Sequence, residues 1–233
     1  MLSSIKDNVN SILTNIKNIC SNKGRDYNDI TVIAVTKTID LSRIKEVIDL
    51  GIKNIGENKV QEIMDKYDDI KDISNIHLIG HLQSNKVKYI IDKVKLIHSV
   101  DSLSLMKEIN KRAIKAGIIA NVLIQVNVAE EASKFGIKID EVDDFLINAS
   151  QFDNIIIKGL MTIAPYAENP EDVRPVFRTL KEKYDRISIE NYQNIKMEYL
   201  SMGMTNDYHI ALEEGSNMLR IGTGIFGNRV YNR

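Results

Sequence analysis

The sequence predicts one α/β domain over residues 1–233, a (β/α)8 TIM barrel with an extra helix at its amino end. Eight short apolar runs alternate with amphipathic stretches of helical spacing, which is typical of consecutive parallel βαβ units. Polar residues and glycines follow the same end of nearly every run, where a barrel builds its active site. A single barrel routinely fills a chain of this length. An open doubly wound sheet is the alternative arrangement.

Periodicity and capping residues predict the elements in order. Isoleucine and valine recur at helical spacing from position 5 to position 19, which predicts the first helix. The predicted strands are residues 30–35, 53–55, 76–79, 96–98, 121–126, 155–160, 196–200 and 218–221. The predicted helices between them are residues 41–50, 59–67, 85–91, 102–116, 140–149, 172–184 and 207–214. Asp40 and Ser102 stand where N-caps are expected, and Gly51, Gly117 and Gly215 stand just after helices, where left-handed residues are favoured.

Composition excludes several classes of protein. The net charge of −1, with lysines interleaved with acids, argues against a nucleic-acid or membrane partner. The amino end lacks the apolar stretch of a signal peptide, and no segment approaches the ~20 apolar residues of a membrane span. The single cysteine, Cys20, allows no internal disulfide and is expected in the core, which fits a cytoplasmic protein. No close His/Cys/Asp cluster appears, so we expect no metal site.

Two short segments near the carboxyl end of the chain have the character of a phosphate cradle. The sequence SMGMT, residues 201–205, precedes a predicted helix, whose first N–H groups can bind an anion. The sequence IGTG, residues 221–224, follows the last predicted strand. TIM barrels often bind phosphate with the loops after strands seven and eight. The alternative is that these glycines only make tight turns.

Lys37 follows the first predicted strand and faces this cradle across the barrel. A lysine there can snorkel to solvent, or it can be a desolvated amine that forms a Schiff base with a carbonyl. The second interpretation leaves two phosphorylated aldehydes, a sugar-phosphate aldolase substrate and pyridoxal 5′-phosphate (PLP). Arg220, one residue before the glycine turn, favours PLP because Asp or Arg is the usual partner of its pyridine nitrogen. A structural ion pair is the alternative role for Arg220.

Long motifs then carry a resemblance to a known family. The segments AVTKT, GENKVQE, HLIGHLQSNKVKYI, IHSVDS, GLMTIAP and YLSMGMTNDYHIALEEGSNMLRIGTGIFGNR resemble the pyridoxal phosphate homeostasis proteins of the YggS/PROSC family. The resemblance extends from about residue 30 to residue 229. It implies the fold of the N-terminal barrel of bacterial alanine racemase.

The resemblance also implies roles for individual residues. Lys37 would carry PLP covalently as a Schiff base, and Asn58 would lie near the ring or its hydroxyl. Arg220 would face the pyridine nitrogen, and Ser201 would line the same pocket. His81 would lie at the rim, either as a site residue or as a structural hydrogen-bonding residue.

The phosphate would be held by the pair Met204 and Thr205, by the turn at Gly222 and by the backbone of Thr223. Family members commonly have serine where Thr36 and Thr205 stand here. Threonine keeps the hydroxyl at position 205, so the expected phosphate contact is retained.

The function that the resemblance implies is PLP binding in support of vitamin B6 and amino-acid homeostasis. Alanine racemases carry a second, β-rich domain with a tyrosine base, and we expect no counterpart here and so no catalytic residue. Tyr166 and Tyr231 are the tyrosines that could replace that base. A low-activity fold-type III racemase or decarboxylase is the alternative, and a cofactor-free Schiff-base aldolase is a third. The expected partners are PLP and PLP-requiring apoenzymes, and the expected state is a monomer or weak dimer.

Overall fold

Eight parallel strands close into a barrel in the order in which they occur along the chain. The computed structural model describes residues 4–131, 133–190 and 192–227. The strands are β1 (Thr31–Val35), β2 (Asn54–Glu57), β3 (Asn75–Leu78), β4 (Leu96–Val100), β5 (Ala120–Gln125), β6 (Ile155–Met161), β7 (Ile195–Ser201) and β8 (Met218–Ile221). The predicted closed barrel, with helices between its strands, is therefore confirmed.

Helices connect the strands and cover the outside of the barrel. They are α1 (Ile5–Asn22), α2 (Leu41–Asp49), α3 (Val60–Ile70), α4 (Val87–Ile90), α5 (Leu103–Ala116), α6 (Val142–Ala149), α7 (Arg174–Ser188), α8 (Tyr208–Glu213) and α9 (Thr223–Phe226). Helix α1 is the extra amino-terminal helix and packs against α2, α8 and α9. Its buried face includes Cys20, as the sequence predicts.

The capping residues predicted from the sequence occupy their expected positions. The carboxylate of Asp40 accepts a hydrogen bond from the backbone N–H of Arg43 at the start of α2. The hydroxyl of Ser102 accepts one from Leu105 at the start of α5. Gly117 ends α5 with φ +67°, a left-handed conformation that strains other residues.

Most barrel strands are buried on both faces, which explains why they appear in the sequence as apolar runs; β7, with exposed Lys196 and Glu198, is the exception. The outward faces and the surrounding helices form one large apolar core. Inside the barrel lies a smaller apolar cluster, Ile33, Leu96, Leu123, Met161 and Met218, each at most 2% exposed. Polar side chains share this interior and determine what the barrel can bind.

Most predicted element bounds differ from the observed ones by one to three residues, and the largest difference is at the end of α7, predicted at residue 184 and observed at Ser188. One element was not predicted as a helix: residues 223–226 form the short helix α9, where the sequence predicted only a glycine turn. Strand pairing between β1 and β8 places Ile33 opposite Arg220. This register brings the carboxyl end of β1, and the lysine that follows it, to the same end of the barrel as Arg220.

Candidate functional site

A cavity of about 440 Å³ opens at the carboxyl ends of β1, β7 and β8. Six of the residues that the sequence nominated for cofactor binding line it: Lys37, Met204, Thr205, Arg220, Gly222 and Thr223. They come from three separate stretches of chain, which the closure of β1 against β8 brings together. Ser201 is completely buried at the end of β7 and hydrogen-bonds to Arg220 at the cavity wall.

Lys37 lies half-buried in the turn that follows β1. The residue before it, Thr36, is fully buried, and its hydroxyl donates to Oε1 of Glu57 over 2.6 Å. The residue after it, Thr38, has φ +63°, which is uncommon for a β-branched side chain. The turn that carries the lysine is therefore held in a conformation that its own sequence does not favour.

Charged side chains of β2 and α3 hold this turn in place. Lys66 Nζ donates to the carbonyl of Thr36 over 2.9 Å and to Glu57 Oε1 over 2.7 Å. The carboxylate of Glu62 accepts the backbone N–H of Thr38 over 2.8 Å. Burial raises the pKa of Glu57, and the Lys66 ammonium opposes that effect. These contacts form a clamp, composed of Glu57, Glu62 and Lys66, around the backbone of the lysine turn.

The two loops nominated as a phosphate cradle are joined by one hydroxyl. Thr205 Oγ1 accepts a hydrogen bond from the backbone N–H of Gly224 over 3.1 Å. A Cβ at position 224 would lie 3.1 Å from Thr205 Cγ2, so the approach of the loops is close. The backbone N–H of Met204 points instead to Asp207 Oδ1, at 2.5 Å. The hydroxyl of Thr205 and the turn at residues 222–224 are thus the polar groups that the cradle brings together.

Arg220 is 4% exposed, and its guanidinium forms part of the cavity wall. It donates to Ser201 Oγ over 2.6 Å and to the carbonyl of Thr162 over 2.7 Å. Burial lowers the pKa of Arg220 to about 10, and the carboxylate of Asp207 partly opposes the effect. The guanidinium therefore keeps its charge at neutral pH, and both of these acceptors are uncharged oxygens.

Asn58 and His81 do not line the Lys37 cavity. They line a neighbouring cavity of about 560 Å³, between α3 and the loop after β3. Asn58 Oδ1 is buried without a hydrogen-bond partner. The exposed ring of His81 stacks on Phe135 with ring centroids 3.8 Å apart, and its Nδ1 lies 3.5 Å from a carboxylate oxygen of Asp101.

Of the two tyrosines nominated as bases, Tyr166 lines the Lys37 cavity but is 83% exposed. Tyr231 lies outside the described residues. Within residues 4–131, 133–190 and 192–227, no group of three or more His, Cys, Asp or Glu side chains could hold a metal ion. None of the helices in that part of the chain is long and apolar enough to cross a membrane.

The sequence analysis missed two buried histidines inside the barrel. His77, in β3, and His98, in β4, are 3% and 0% exposed. His98 Nδ1 lies 3.2 Å from Ser201 Oγ, the oxygen that accepts a hydrogen bond from Arg220. Each histidine interrupts an apolar strand in the sequence, and that interruption is the signal that could have identified them.

Comparison with known proteins agrees with this geometry. The family model described as alanine racemase, N-terminal domain, matches residues 8–230. A relative from Aquifex aeolicus, named pyridoxal phosphate homeostasis protein, is 43% identical over 226 residues, which cover 97% of this chain and 98% of that protein.

Solved structures are similar over nearly the whole chain. An unknown protein from Bifidobacterium adolescentis has a TM-score of 0.91 and 34% identity, and the match covers 95% of this chain and 94% of that one. PipY of Synechococcus elongatus, solved with PLP bound, has a TM-score of 0.79 and 28% identity, covering 91% and 100% of the two chains. The chain thus belongs to the pyridoxal phosphate homeostasis protein family, whose barrel is that of the alanine racemase N-terminal domain.

Proposed function

We propose that this protein binds PLP in the cavity lined by Lys37, covalently through the Lys37 amine, and that it holds and supplies the cofactor in PLP homeostasis. The observation that carries the proposal is the content of one cavity: an amine, a buried charged guanidinium and a hydroxyl that joins two loops. Its volume lies within the range of about 300–1,000 Å³ typical of small-molecule sites. These groups match the aldehyde, the pyridine nitrogen and the phosphate of PLP.

Arg220 suits the pyridine nitrogen because it remains a donor at every physiological pH. Its pKa of about 10 keeps the guanidinium protonated, so the facing ring nitrogen would be an unprotonated acceptor. Asp or Arg is the usual partner of this nitrogen, and the choice tunes the electronics of the ring. An arginine makes the ring a weaker electron sink than an acidic partner would, and it is compatible with storage of the cofactor.

The phosphate is assigned to Thr205, Gly222 and Thr223. The Thr205 hydroxyl already accepts the N–H of Gly224, and it still has its own proton to donate. Thr223 begins α9, and backbone N–H groups at the start of a helix favour an anion. Met204 contributes to the cavity wall, since its N–H is directed to Asp207.

Lys37 and Lys134 both line the cavity, and the clamp around the Lys37 turn favours Lys37 as the covalent partner. PLP, when bound, supplies an aldehyde carbon that a lysine amine can join with loss of water. Lys134 forms an ion pair with Glu131 at 2.6 Å, so its amine is directed to that carboxylate. The turn of Lys37 is held from α3 by the clamp of Glu57, Glu62 and Lys66.

The covalent assignment is tested by spectroscopy and peptide mapping. Protein incubated with PLP should absorb as a Schiff base, and borohydride reduction should fix the cofactor on the peptide that contains Lys37. Lys37→Ala should lose the band and the label, whereas the matched variant Lys134→Ala should keep both. A reduced cofactor found on Lys134 in the wild-type protein would contradict the assignment. Lack of any PLP band would favour the cofactor-free aldolase instead.

The homeostasis role includes transfer of PLP to PLP-requiring apoenzymes. The holo-protein, mixed with such an apoenzyme and a phosphatase that destroys free PLP, should restore the activity of the apoenzyme faster than free PLP does under the same conditions. Equal or slower recovery would contradict a supply role. Sedimentation of the holo-protein tests the accompanying expectation of a monomer or weak dimer.

The second candidate is a low-activity amino-acid racemase, which the position of Tyr166 at the cavity favours. Its high exposure argues for weak catalysis, because an open site forfeits water exclusion. Holo-protein incubated with L-alanine in D₂O should exchange the α-proton slowly or undetectably. Turnover in the usual enzymatic range of ~1–10³ per second, abolished in Tyr166→Phe, would establish the racemase in place of the homeostasis protein.

A further inference from the structure

A chain of hydrogen bonds runs through the barrel interior from Arg220 away from the Lys37 cavity. Arg220 Nη1 lies 2.6 Å from Ser201 Oγ, and Ser201 Oγ lies 3.2 Å from His98 Nδ1. His98 Nε2 lies 3.1 Å from His77 Nδ1, and His77 Nε2 lies 3.2 Å from Asn54 Oδ1. These five residues form what we call the polar column. Its first four side chains are buried, although the rest of the barrel interior includes a purely apolar cluster.

The chemistry of the two ends determines the direction of the bonds. Arginine only donates hydrogen bonds, so the Ser201 hydroxyl oxygen accepts from Arg220. The Ser201 O–H can then donate a hydrogen bond to His98 Nδ1. His98 then carries its proton on Nε2 and donates to His77 Nδ1, and His77 donates from Nε2 to Asn54. The far end agrees, because Asn54 Oδ1 also accepts from the side-chain amide of Asn75 over 3.2 Å.

The reverse direction is electrostatically worse. It would place the N–H of His98 and the N–H of Arg220 on the same Ser201 oxygen, so that an imidazole dipole would point its positive end at a buried cation. It would also turn His77 Nε2, as an acceptor, toward the Asn54 oxygen, which is an acceptor too. The charge of Arg220 therefore selects one tautomer for each ring.

Each ring is also held neutral. Protonation makes both ring nitrogens donors, so an added proton on either ring would break one contact of the column. The charged groups that face the rings act in the same direction. Burial and the nearby Lys95 lower the pKa of His77 to about 4, and burial, His77 and Arg220 lower the pKa of His98 well below its ordinary value.

We propose that His98 and His77 are positioning residues which, as neutral Nε2–H tautomers, hold the Arg220 guanidinium in place through Ser201. The proposal rests on the proposed cofactor site, in which Arg220 faces the pyridine nitrogen. Ser201 can orient its lone pairs toward Arg220 only while its proton has an acceptor behind it. His98 is that acceptor, and His77 in turn fixes the tautomer of His98.

The first test needs no cofactor. Nitrogen-15 NMR of the apo-protein at pH 7 should show two neutral imidazoles protonated on Nε2, which disappear singly in His98→Asn and His77→Asn. The protein has four histidines, so these variants suffice for assignment. Nδ1–H tautomers, or charged rings, at these two positions would overturn the proposal.

The second test separates positioning from packing. His98→Asn places an amide oxygen near the position of Nδ1 and can still accept from Ser201, whereas His98→Leu cannot. We expect PLP binding to weaken about 3- to 10-fold in His98→Leu, and by no more than about 2-fold in His98→Asn. The absorption maximum of the bound cofactor, which depends on its ring partner, should shift only in the leucine variant. Leu123→Ala, in the apolar cluster of the same interior, is the control for a loss of packing.

Equal effects of His98→Leu and Leu123→Ala on affinity and spectrum would mean that the histidine acts only structurally, and the proposal would fail. The Arg220 guanidinium signal in the apo-protein supplies a readout that is independent of PLP. The chemical shift of this guanidinium signal should change in His98→Leu and remain as in wild type in His98→Asn. If wild-type protein bound no PLP, the proposed function would fall, and this signal together with the ring tautomers would still decide whether the histidines hold Arg220.

Discussion

Acid should destabilise this protein in a way that depends on one buried ring, His77. The ring is 3% exposed, and burial lowers its pKa from 6.5 to about 4. A depressed pKa in the folded state means that the unfolded chain binds more protons between those two values. The resulting stability is fully present above pH 6.5 and is lost as the pH falls through 4.

The magnitude follows from the size of the pKa change. One pKa unit corresponds to about 1.4 kcal/mol, so His77 should contribute about 3 kcal/mol to the free energy of unfolding at pH 7 that is absent at pH 4. Folded domains are stable by only about 5–15 kcal/mol. The loss from this single ring is therefore large enough to measure.

The measurement compares wild type with His77→Asn by urea unfolding at pH 4, 5, 6 and 7. Far-UV circular dichroism is the suitable probe, because the chain has no tryptophan. Carboxylates titrate equally in both proteins, so the difference between the two unfolding free energies reports the His77 ring together with its effect on the pKa of His98. We expect the free energy of unfolding of wild type, relative to that of the variant, to rise by about 3 kcal/mol between pH 4 and pH 7.

Leu123→Ala is the control, since it should lower stability by about 2–5 kcal/mol without changing the pH dependence. Parallel curves for wild type and His77→Asn would refute the reasoning. They would mean that the imidazole is as free to accept a proton in the folded protein as in the unfolded chain.

Three further substitutions have outcomes that the structure predicts. Thr205→Val should weaken PLP binding by about 1–3 kcal/mol in equilibrium titrations, whereas Thr205→Ser should bind normally, because only valine lacks the hydroxyl that joins the two loops. Gly159→Ala should cost roughly 2–5 kcal/mol in urea unfolding, since φ is +145° and a Cβ would collide with a carbonyl of β7; Gly117→Ala, in open space, should cost only about 1 kcal/mol. Lys66→Met should lower the free energy of unfolding, measured by urea unfolding, by about 3–5 kcal/mol at pH 7, because it leaves Glu57 charged without its ion-pair partner. The deficit should shrink at pH 5 and in the double variant with Glu57→Gln, and an equal deficit at both pH values would contradict this account.

Local sequence was sufficient to nominate six residues that line the Lys37 cavity, because the relevant signals are local. Lys37 follows an apolar run, Thr205 and Gly222 lie in short loops that precede helices, and Thr223 begins α9. A strand of a parallel barrel is buried on both faces, so it appears as a continuous apolar run whatever its neighbours are. Position at the carboxyl end of a strand then selects the residues that can reach a common site. The lining of one cavity by Lys37, Arg220 and the two loops agrees with that reasoning.

Local sequence could not separate Asn58 and His81 from this cavity. Both follow strands at the same end of the barrel, but they line a second cavity beside α3. The clamp was also invisible, because Glu57 and Lys66 look like ordinary charged residues of an amphipathic stretch. Only the fold buries the Glu57 carboxylate against the turn of Lys37.

The sequence by itself determined the barrel, the order of its strands and the stretches that bring Lys37, Arg220 and the two loops after β7 and β8 to one cavity. These depend on apolar periodicity, capping and strand-end position, which are properties of adjacent residues. Only the tertiary structure decided that a chain of hydrogen bonds connects His77 and His98 to Arg220 through Ser201. Those contacts join residues that are 19 to 103 positions apart in the chain. Whether a histidine inside a strand is a packed ring or a link to an arginine depends on the register of the neighbouring strands, and closure of the barrel sets that register.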